Sequence, residues 1–293
     1  MKKTNDRFEL HRADCREVLR ELPENSIDLI ATDPPYFIHG MGDDWSDKKL
    51  QQGKKKGHTV GGLPVGMKFD PEQGLRLERF MTELGNEASR VLKPGAFFLA
   101  FSQPRLTHRM AIALENAGFE IRDLLIWEHQ GGQGKAFSQG HFVDRMDVSE
   151  GRKKTIKQKL GGRKTPQLRP KFESIILAQK PKTGTFVENY LKWETGLVNL
   201  EFDPQPTTVF RYDKPRKEKT IDHMTVKPVD LMKKLIEVFC APGQIVLDPF
   251  LGSGTTGVAA AQAGRRFVGI ELERRYFTMA KSRISNAYER KKT

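Results

Sequence analysis

Residues 244–271 read Gln-Ile-Val-Leu-Asp-Pro-Phe-Leu-Gly-Ser-Gly-Thr-Thr-Gly-Val-Ala-Ala-Ala-Gln-Ala-Gly-Arg-Arg-Phe-Val-Gly-Ile-Glu. An apolar strand at 245–247 runs into a loop carrying Gly252, Gly254 and Gly257, then a small-residue helix over about 255–263, then a second strand at 267–270 that ends on Glu271. In such a β-α-β unit the glycines let backbone approach a ligand closely, and an acid at the next strand end suits a ribose diol. Dinucleotide-binding folds share the glycines, but here Asp248-Pro249-Phe250 stands between the strand and the first of them. A carboxylate at that point faces a pyrophosphate unfavourably and suits the positively charged amino-acid end of S-adenosylmethionine. A glycine-rich turn with no ligand is the alternative.

A second stretch, residues 28–36, reads Asp-Leu-Ile-Ala-Thr-Asp-Pro-Pro-Tyr, an apolar strand entering a rigid turn. Consecutive prolines fix their own φ and bias the preceding residue to extended geometry, so Asp33, Pro34, Pro35 and Tyr36 form a preset arrangement. Its chemistry fits one problem, the attack of a nucleobase amine on a methyl group. The amine's lone pair is delocalised into the ring. Acceptors at the Asp33 carboxylate and the Pro34 carbonyl draw the nitrogen towards tetrahedral geometry, while the Tyr36 ring offers a stacking surface for an extruded base. A plain strand end with a half-buried tyrosine is the competing reading. Trp127, at the end of another expected strand, reads as core rather than as a base contact.

Together these motifs resemble the S-adenosylmethionine-dependent amino-methyltransferases of DNA, which make N6-methyladenine or N4-methylcytosine. The order, catalytic turn first and cofactor loop last, is similar to the permuted β class of that family, and the resemblance covers roughly 8–130 and 171–288. It implies a Rossmann-like α/β methyltransferase fold with a mostly parallel sheet, helices on both faces and a basic insertion for target recognition. It also implies cofactor contacts from Asp248, Phe250, Gly252, Ser253, Gly254, Thr255 and Glu271. His223-Met224-Thr225-Val226-Lys227-Pro228 resembles a further family motif with proline where Met224 stands, which places Thr225 and Lys227 near the methionine end of the cofactor. Asp14 and Cys15, after a strand at about 7–12, correspond to a segment near the cofactor's adenine, although the family commonly has glycine where Ala13 stands. Cytosine-methylating members mostly carry serine in place of Asp33, so the resemblance favours adenine.

Composition agrees with a polyanionic partner. Fifty Lys and Arg against thirty-seven Asp and Glu give a net charge of +13 over 293 residues. Two cysteines, Cys15 and Cys240, without a Cys/His cluster, imply neither a disulfide framework nor a metal site. The absence of a long apolar run or a signal-like start predicts a soluble, cytoplasmic protein without a membrane partner. Strands are expected near 27–32, 96–101, 121–127, 173–179, 245–248 and 266–271 besides 7–12, and helices at 14–21, 75–91, 104–117, 228–240, 255–263 and 273–288. Alternation of this kind predicts an α/β sheet with Asp14, Asp33, Asp248 and Glu271 gathered at the carboxyl ends of its strands.

The chain divides into a catalytic half (1–128), a basic DNA-binding insertion (129–170), a returning strand (171–181), a further target-recognition region (182–222) and a cofactor-binding half (223–293). The insertion reads as a loop or short helix pair in which Arg152, Lys153, Lys154, Lys157, Lys159, Arg163 and Lys164 grip phosphates. A third basic run, from Lys48 to Lys68 with Lys54, Lys55 and Lys56, suggests a flap over the target. A solvated basic loop is the alternative for the insertion, and simple disorder for the third run. The expected activity is N6-methylation of adenine in double-stranded DNA, sequence-specific or weakly selective, with direct transfer to a flipped base. Homodimer formation is compatible with the resemblance. N4-cytosine or RNA-base methylation, and a nucleic-acid-binding protein without catalysis, are the alternatives.

Overall fold

The computed structural model describes residues 7–36, 70–130, 136–166, 168–201, 207–215 and 226–290. Lys54, Lys55, Lys56 and Thr225 lie outside the described residues. The strands are β1 (Phe8–His11), β2 (Ile27–Thr32), β3 (Leu92–Ser102), β4 (Glu120–Glu128), β5 (Phe172–Gln179), β6 (Val209–Arg211), β7 (Ile245–Asp248) and β8 (Arg266–Ile270). The helices are α1 (Cys15–Glu21), α2 (Glu72–Val91), α3 (Thr107–Asn116), α4 (Gly140–Asp144), α5 (Glu150–Leu160), α6 (Phe186–Trp193), α7 (Val229–Phe239), α8 (Thr255–Ala263) and α9 (Arg274–Arg290).

All eight strands form one sheet in the order β1-β8-β7-β2-β3-β5-β4-β6. Only β5 runs antiparallel to its neighbours, β3 and β4, among the described residues. At the centre, β2 is buried along its whole length, which is why its sequence reads as a nearly continuous apolar run instead of alternating. Successive side chains still serve opposite faces. Leu29, Ala31, Phe97, Leu99 and Phe101 join the core under α7, α8 and α9. Ile30, Phe98 and Ala100 join the core under α1, α2 and α3.

Most expected elements fall within a few residues of their positions. The helix expected at 104–117 is split into a 3-10 turn (Pro104–Leu106) and α3. The insertion forms the short pair α4 and α5, tied at its base by an antiparallel bridge between Ser138 and Lys164. Neither β6 nor α6 was anticipated within 182–222. α6 begins with a capping box between Thr185 and Glu188, a signal legible in the sequence. Its Asn189 donates to the Pro94 carbonyl (3.0 Å), and Thr195 Oγ1 donates to the same oxygen (2.7 Å). Pro94 lies near the amino end of β3, so α6 sits at the sheet edge opposite Asp33. β6 and the residues after it, by contrast, reach the same edge as Asp33, because β6 runs parallel to β4.

Candidate active site

Asp14 follows β1, Asp33 follows β2, Asp248 closes β7 and Glu271 follows β8, so four acids share the carboxyl edge of the parallel strands. A fifth arrives from the other direction. Because β5 is antiparallel, with Ser174 opposite Ser102, its first residues lie on this edge and deliver Glu173.

Asp33 is held by two donors: the Tyr36 hydroxyl donates to Oδ1 and the Lys227 ammonium to Oδ2. Lys227 Nζ also lies 3.2 Å from Glu173 Oε2 and 5.0 Å from the centre of the Phe101 ring. Lys214 Nζ stands 3.4 Å from Glu173 Oε1. The result is a line of alternating charge, Asp33, Lys227, Glu173, Lys214. Burial opposes the charge on Lys227, whose side chain is only 9% exposed, but the two carboxylates outweigh it and its pKa is raised. Burial likewise acts against the charge on Glu173, where the two lysines prevail and hold its pKa below the ordinary value. The Tyr36 phenol is pushed up, first by burial and then by the Asp33 carboxylate. The turn is clamped from α2, where Gln73 Nε2 donates to the Tyr36 carbonyl and Gln73 Oε1 accepts from Arg105 Nη2 at 2.5 Å.

The glycine loop abuts this cluster. Thr32, immediately before Asp33, donates from Oγ1 to Asp248 Oδ1 at 2.6 Å. Thr256 Oγ1 donates to Asp248 Oδ2 at 2.6 Å, and the Phe250 amide donates to Oδ1 at 3.1 Å. Asp248 is thus turned into the protein as an organiser of the loop, and burial pushes its pKa up to about 6. Gly252 (φ 50°) and Gly254 (φ 81°) occupy left-handed backbone. A Cβ on Gly254 would lie 2.9 Å from the Ala280 Cβ, so this glycine serves the packing of α8 on α9. Glu271 accepts the Gly252 amide on Oε2 and the Glu273 amide on Oε1, both at 2.8 Å. Burial raises its pKa. Each oxygen retains a second lone pair, the capacity that binding a diol requires.

At β1, Asp14 caps α1 and takes Arg16 Nη2 at 2.7 Å, an interaction that lowers its pKa. Arg16 in turn lies 5.7 Å from the Phe80 ring centre, and Phe80 packs on Phe250 with ring centroids 5.9 Å apart. Cys15 is buried, and burial pushes its thiol up to about 12, so it stays neutral. An acid for a diol, paired aromatic rings and a glycine loop against a buried carboxylate form a donor set that fits S-adenosylmethionine.

The structure therefore brings Asp33, Pro34, Pro35, Tyr36 and Lys227 together, with Asp248, Phe250, Gly252, Ser253, Gly254, Thr255 and Glu271 alongside. The cations of the insertion stand apart. Arg152, Lys154, Lys159, Arg163 and Lys164 are exposed, whereas Lys153 pairs with Glu150 (2.8 Å) and Lys157 with Asp144. Trp127 is core, only 1% exposed, with its indole N–H on the Tyr212 carbonyl at 2.8 Å. Sequence reasoning missed Glu173, Lys214 and Gln73, which carry no local motif. Among the described residues, no helix is long and apolar enough to cross a membrane.

Comparison with known proteins gives a consistent answer. A family model described as DNA methylase matches residues 27–282. The type II methyltransferase M.HindIII of Haemophilus influenzae is 30% identical, with 94% of each chain covered. Among solved structures, the M1.HpyAVI–SAM complex superposes with a TM-score of 0.58 at 22% identity, covering 94% of this chain and 98% of that one. The cytosine-N4-specific PvuII DNA methyltransferase gives 0.63 at 15% identity, covering 97% and 92%. At those identities the structural likeness shows the fold.

Proposed function

Because the chain belongs to the DNA methylase family whose model it matches over residues 27–282, we propose that it methylates the N6 amine of adenine in DNA. The observation that carries this reading is the 2.6 Å hydrogen bond from Thr32 to Asp248, which couples the Asp-Pro-Pro-Tyr turn directly to the glycine loop. Amine acceptor and methyl-donor site are thereby neighbours on one sheet edge. When bound, S-adenosylmethionine supplies a methyl group on a positively charged sulfur.

The protein's own contribution is orientation and electrostatics. Asp33 and the Pro34 carbonyl accept the amine hydrogens and localise the lone pair on nitrogen. The amine nitrogen would take the methyl group that the cofactor supplies, and one amine proton would leave past Asp33. Glu271 would take the ribose hydroxyls and Phe250 would flank the cofactor, while Lys227 fixes the Asp33 carboxylate. Tyr36 serves the target base from a ring whose hydroxyl is anchored on Asp33. The target is extruded from the duplex, while Arg152, Lys154, Lys159, Arg163 and Lys164 on the insertion hold phosphates. Such contacts position the enzyme without reading sequence. Asp33 in place of serine supports adenine over cytosine. The type II relative supports a role in restriction and modification, and a homodimer is compatible with the family.

The test is incubation of the purified protein with unmethylated DNA and S-adenosylmethionine, followed by mass spectrometry of the nucleosides. N6-methyladenine is expected. N4-methylcytosine would overturn the choice of base and keep the mechanism. No methylated base on DNA, with methylation of RNA in a parallel reaction, would overturn the substrate.

A further inference from the structure

We propose that Glu173 is a positioning residue for methyl transfer, acting through Lys227 to give the trio of Asp33, Lys227 and Glu173 a net negative charge that the exposed, solvent-screened Lys214 offsets weakly. This deepens the function proposed above and rests on it. The argument starts from burial. Lys227 is almost fully enclosed, and an ammonium in that setting needs a carboxylate partner. Asp33 alone would satisfy the charge, but it would then form a neutral pair, and a neutralised carboxylate is a weak acceptor for an amine. Glu173 changes the sum. Its Oε2 lies 3.2 Å from the Lys227 Nζ that also bonds Asp33, so two carboxylates share one cation and the trio carries a net charge of −1.

That charge has a use. As the amine nitrogen attacks the methyl group it gains positive charge, and a fixed negative charge beside it stabilises the transition state more than the ground state. The groups facing Lys227 are Asp33 after β2, Glu173 on β5 and the Phe101 ring on β3. Lys214, the outer cation on Glu173, is 43% exposed, so solvent screens it far more than Lys227. The strand direction explains why Glu173 can do this: only an antiparallel β5 brings its first residues to the carboxyl edge of β2 and β3.

The experiment compares Glu173→Gln, Glu173→Asp and Lys214→Met with the unaltered protein, using DNA and S-adenosylmethionine. Single-turnover methyl transfer is measured with both saturating, and the two dissociation constants are measured separately. Glu173→Gln keeps the shape and removes the charge. Its rate is expected to fall at least tenfold while both dissociation constants stay within twofold, and Glu173→Asp is expected to recover most of the loss. Lys214→Met strips the outer cation, so its rate is expected to rise once DNA is saturating. A Glu173→Gln rate within twofold of the unaltered protein would overturn the proposal. So would a loss that tracks weaker cofactor binding, or a fall in Lys214→Met as large as that in Glu173→Gln. If the unaltered protein itself transfers no methyl group, the proposed function fails first, and the proposal with it.

Discussion

Replacing Asp248 by asparagine should stabilise this protein at neutral pH while weakening its hold on the cofactor. Asp248 is 3% exposed, and burial raises its pKa from the ordinary 3.8 to about 6, against three hydrogen bonds that favour the charge. Each tenfold in that equilibrium is about 1.4 kcal/mol, so the ionised form costs the folded state about 3 kcal/mol at pH 8. The sign follows from proton binding. Between pH 4 and pH 6 the folded protein keeps the proton and the unfolded chain does not, so stability from this group falls as pH rises through that window and levels off above it. An asparagine has no charge to bury, and its amide oxygen can still accept from Thr32 and the Phe250 amide. Thr256 must reorient to accept from the new NH2, so the net gain is about 1–3 kcal/mol at pH 8 and close to zero near pH 4. Urea titrations of both proteins at four pH values from 4 to 8 give the difference curve directly. A difference independent of pH, or an asparagine variant less stable at pH 8, would refute the electrostatic account. Calorimetric titration at pH 8 should show weaker binding of the cationic cofactor to the variant, which would explain why a costly carboxylate stands there.

Three further outcomes follow from the geometry. Asp33→Ala should abolish methyl transfer with cofactor affinity largely intact, measured by transfer of labelled methyl groups and by calorimetry; loss of cofactor binding would remove Asp33 from its assigned role. Gly254→Ala, at φ 81° with the added Cβ 2.9 Å from the Ala280 Cβ, should cost about 2–5 kcal/mol in urea unfolding. An unchanged midpoint would mean that α9 retreats freely. Substituting Lys154, Lys159 and Lys164 together by alanine should weaken DNA binding uniformly across sequences and flatten its salt dependence, by about 0.9 in slope for each phosphate no longer neutralised. A steep slope retained in that variant would place the phosphate contacts elsewhere.

The fold was legible because its signals are local. An unbroken apolar run marks a strand covered on both faces, as in β2, and the glycine loop between β7 and α8 needs no distant partner to be recognised. The placement of the candidate site was legible in the same measure, since Asp33 and Glu271 follow such strands and Asp248 closes one, so all three reach one edge by topology alone. Glu173 was not legible. It is one acid among many, and nothing around it announces that β5 runs antiparallel and turns its first residues towards Asp33. Lys227 was placed near the cofactor's methionine end by resemblance, yet its ammonium bonds Asp33, a contact between residues 194 positions apart. The glycines were read as making room for a ligand, but Gly254 and Gly257 make room for α9 and Phe267. The same residue type solves a packing problem and a binding problem, and sequence does not separate the two.

The arrangement of charge gives the site its logic. Five acids on one sheet edge repel one another, and Asp33 is among the groups that raise the pKa of Asp248. Chains meet such repulsion by hydrogen bonding each acid locally, as Asp14 does with Arg16 and Glu271 with two backbone amides. Asp33 and Asp248 are treated differently. Asp33 receives a buried cation shared with Glu173. Among the described residues Asp248 receives neutral donors, so its charge is costly. On the proposed function, a positively charged methyl donor would relieve that cost on binding, and an amine gaining positive charge would draw on the charge beside Asp33. On that proposal one acid serves the cofactor and the other the transition state, and Thr32, next to Asp33 in the chain, donates its hydroxyl to Asp248.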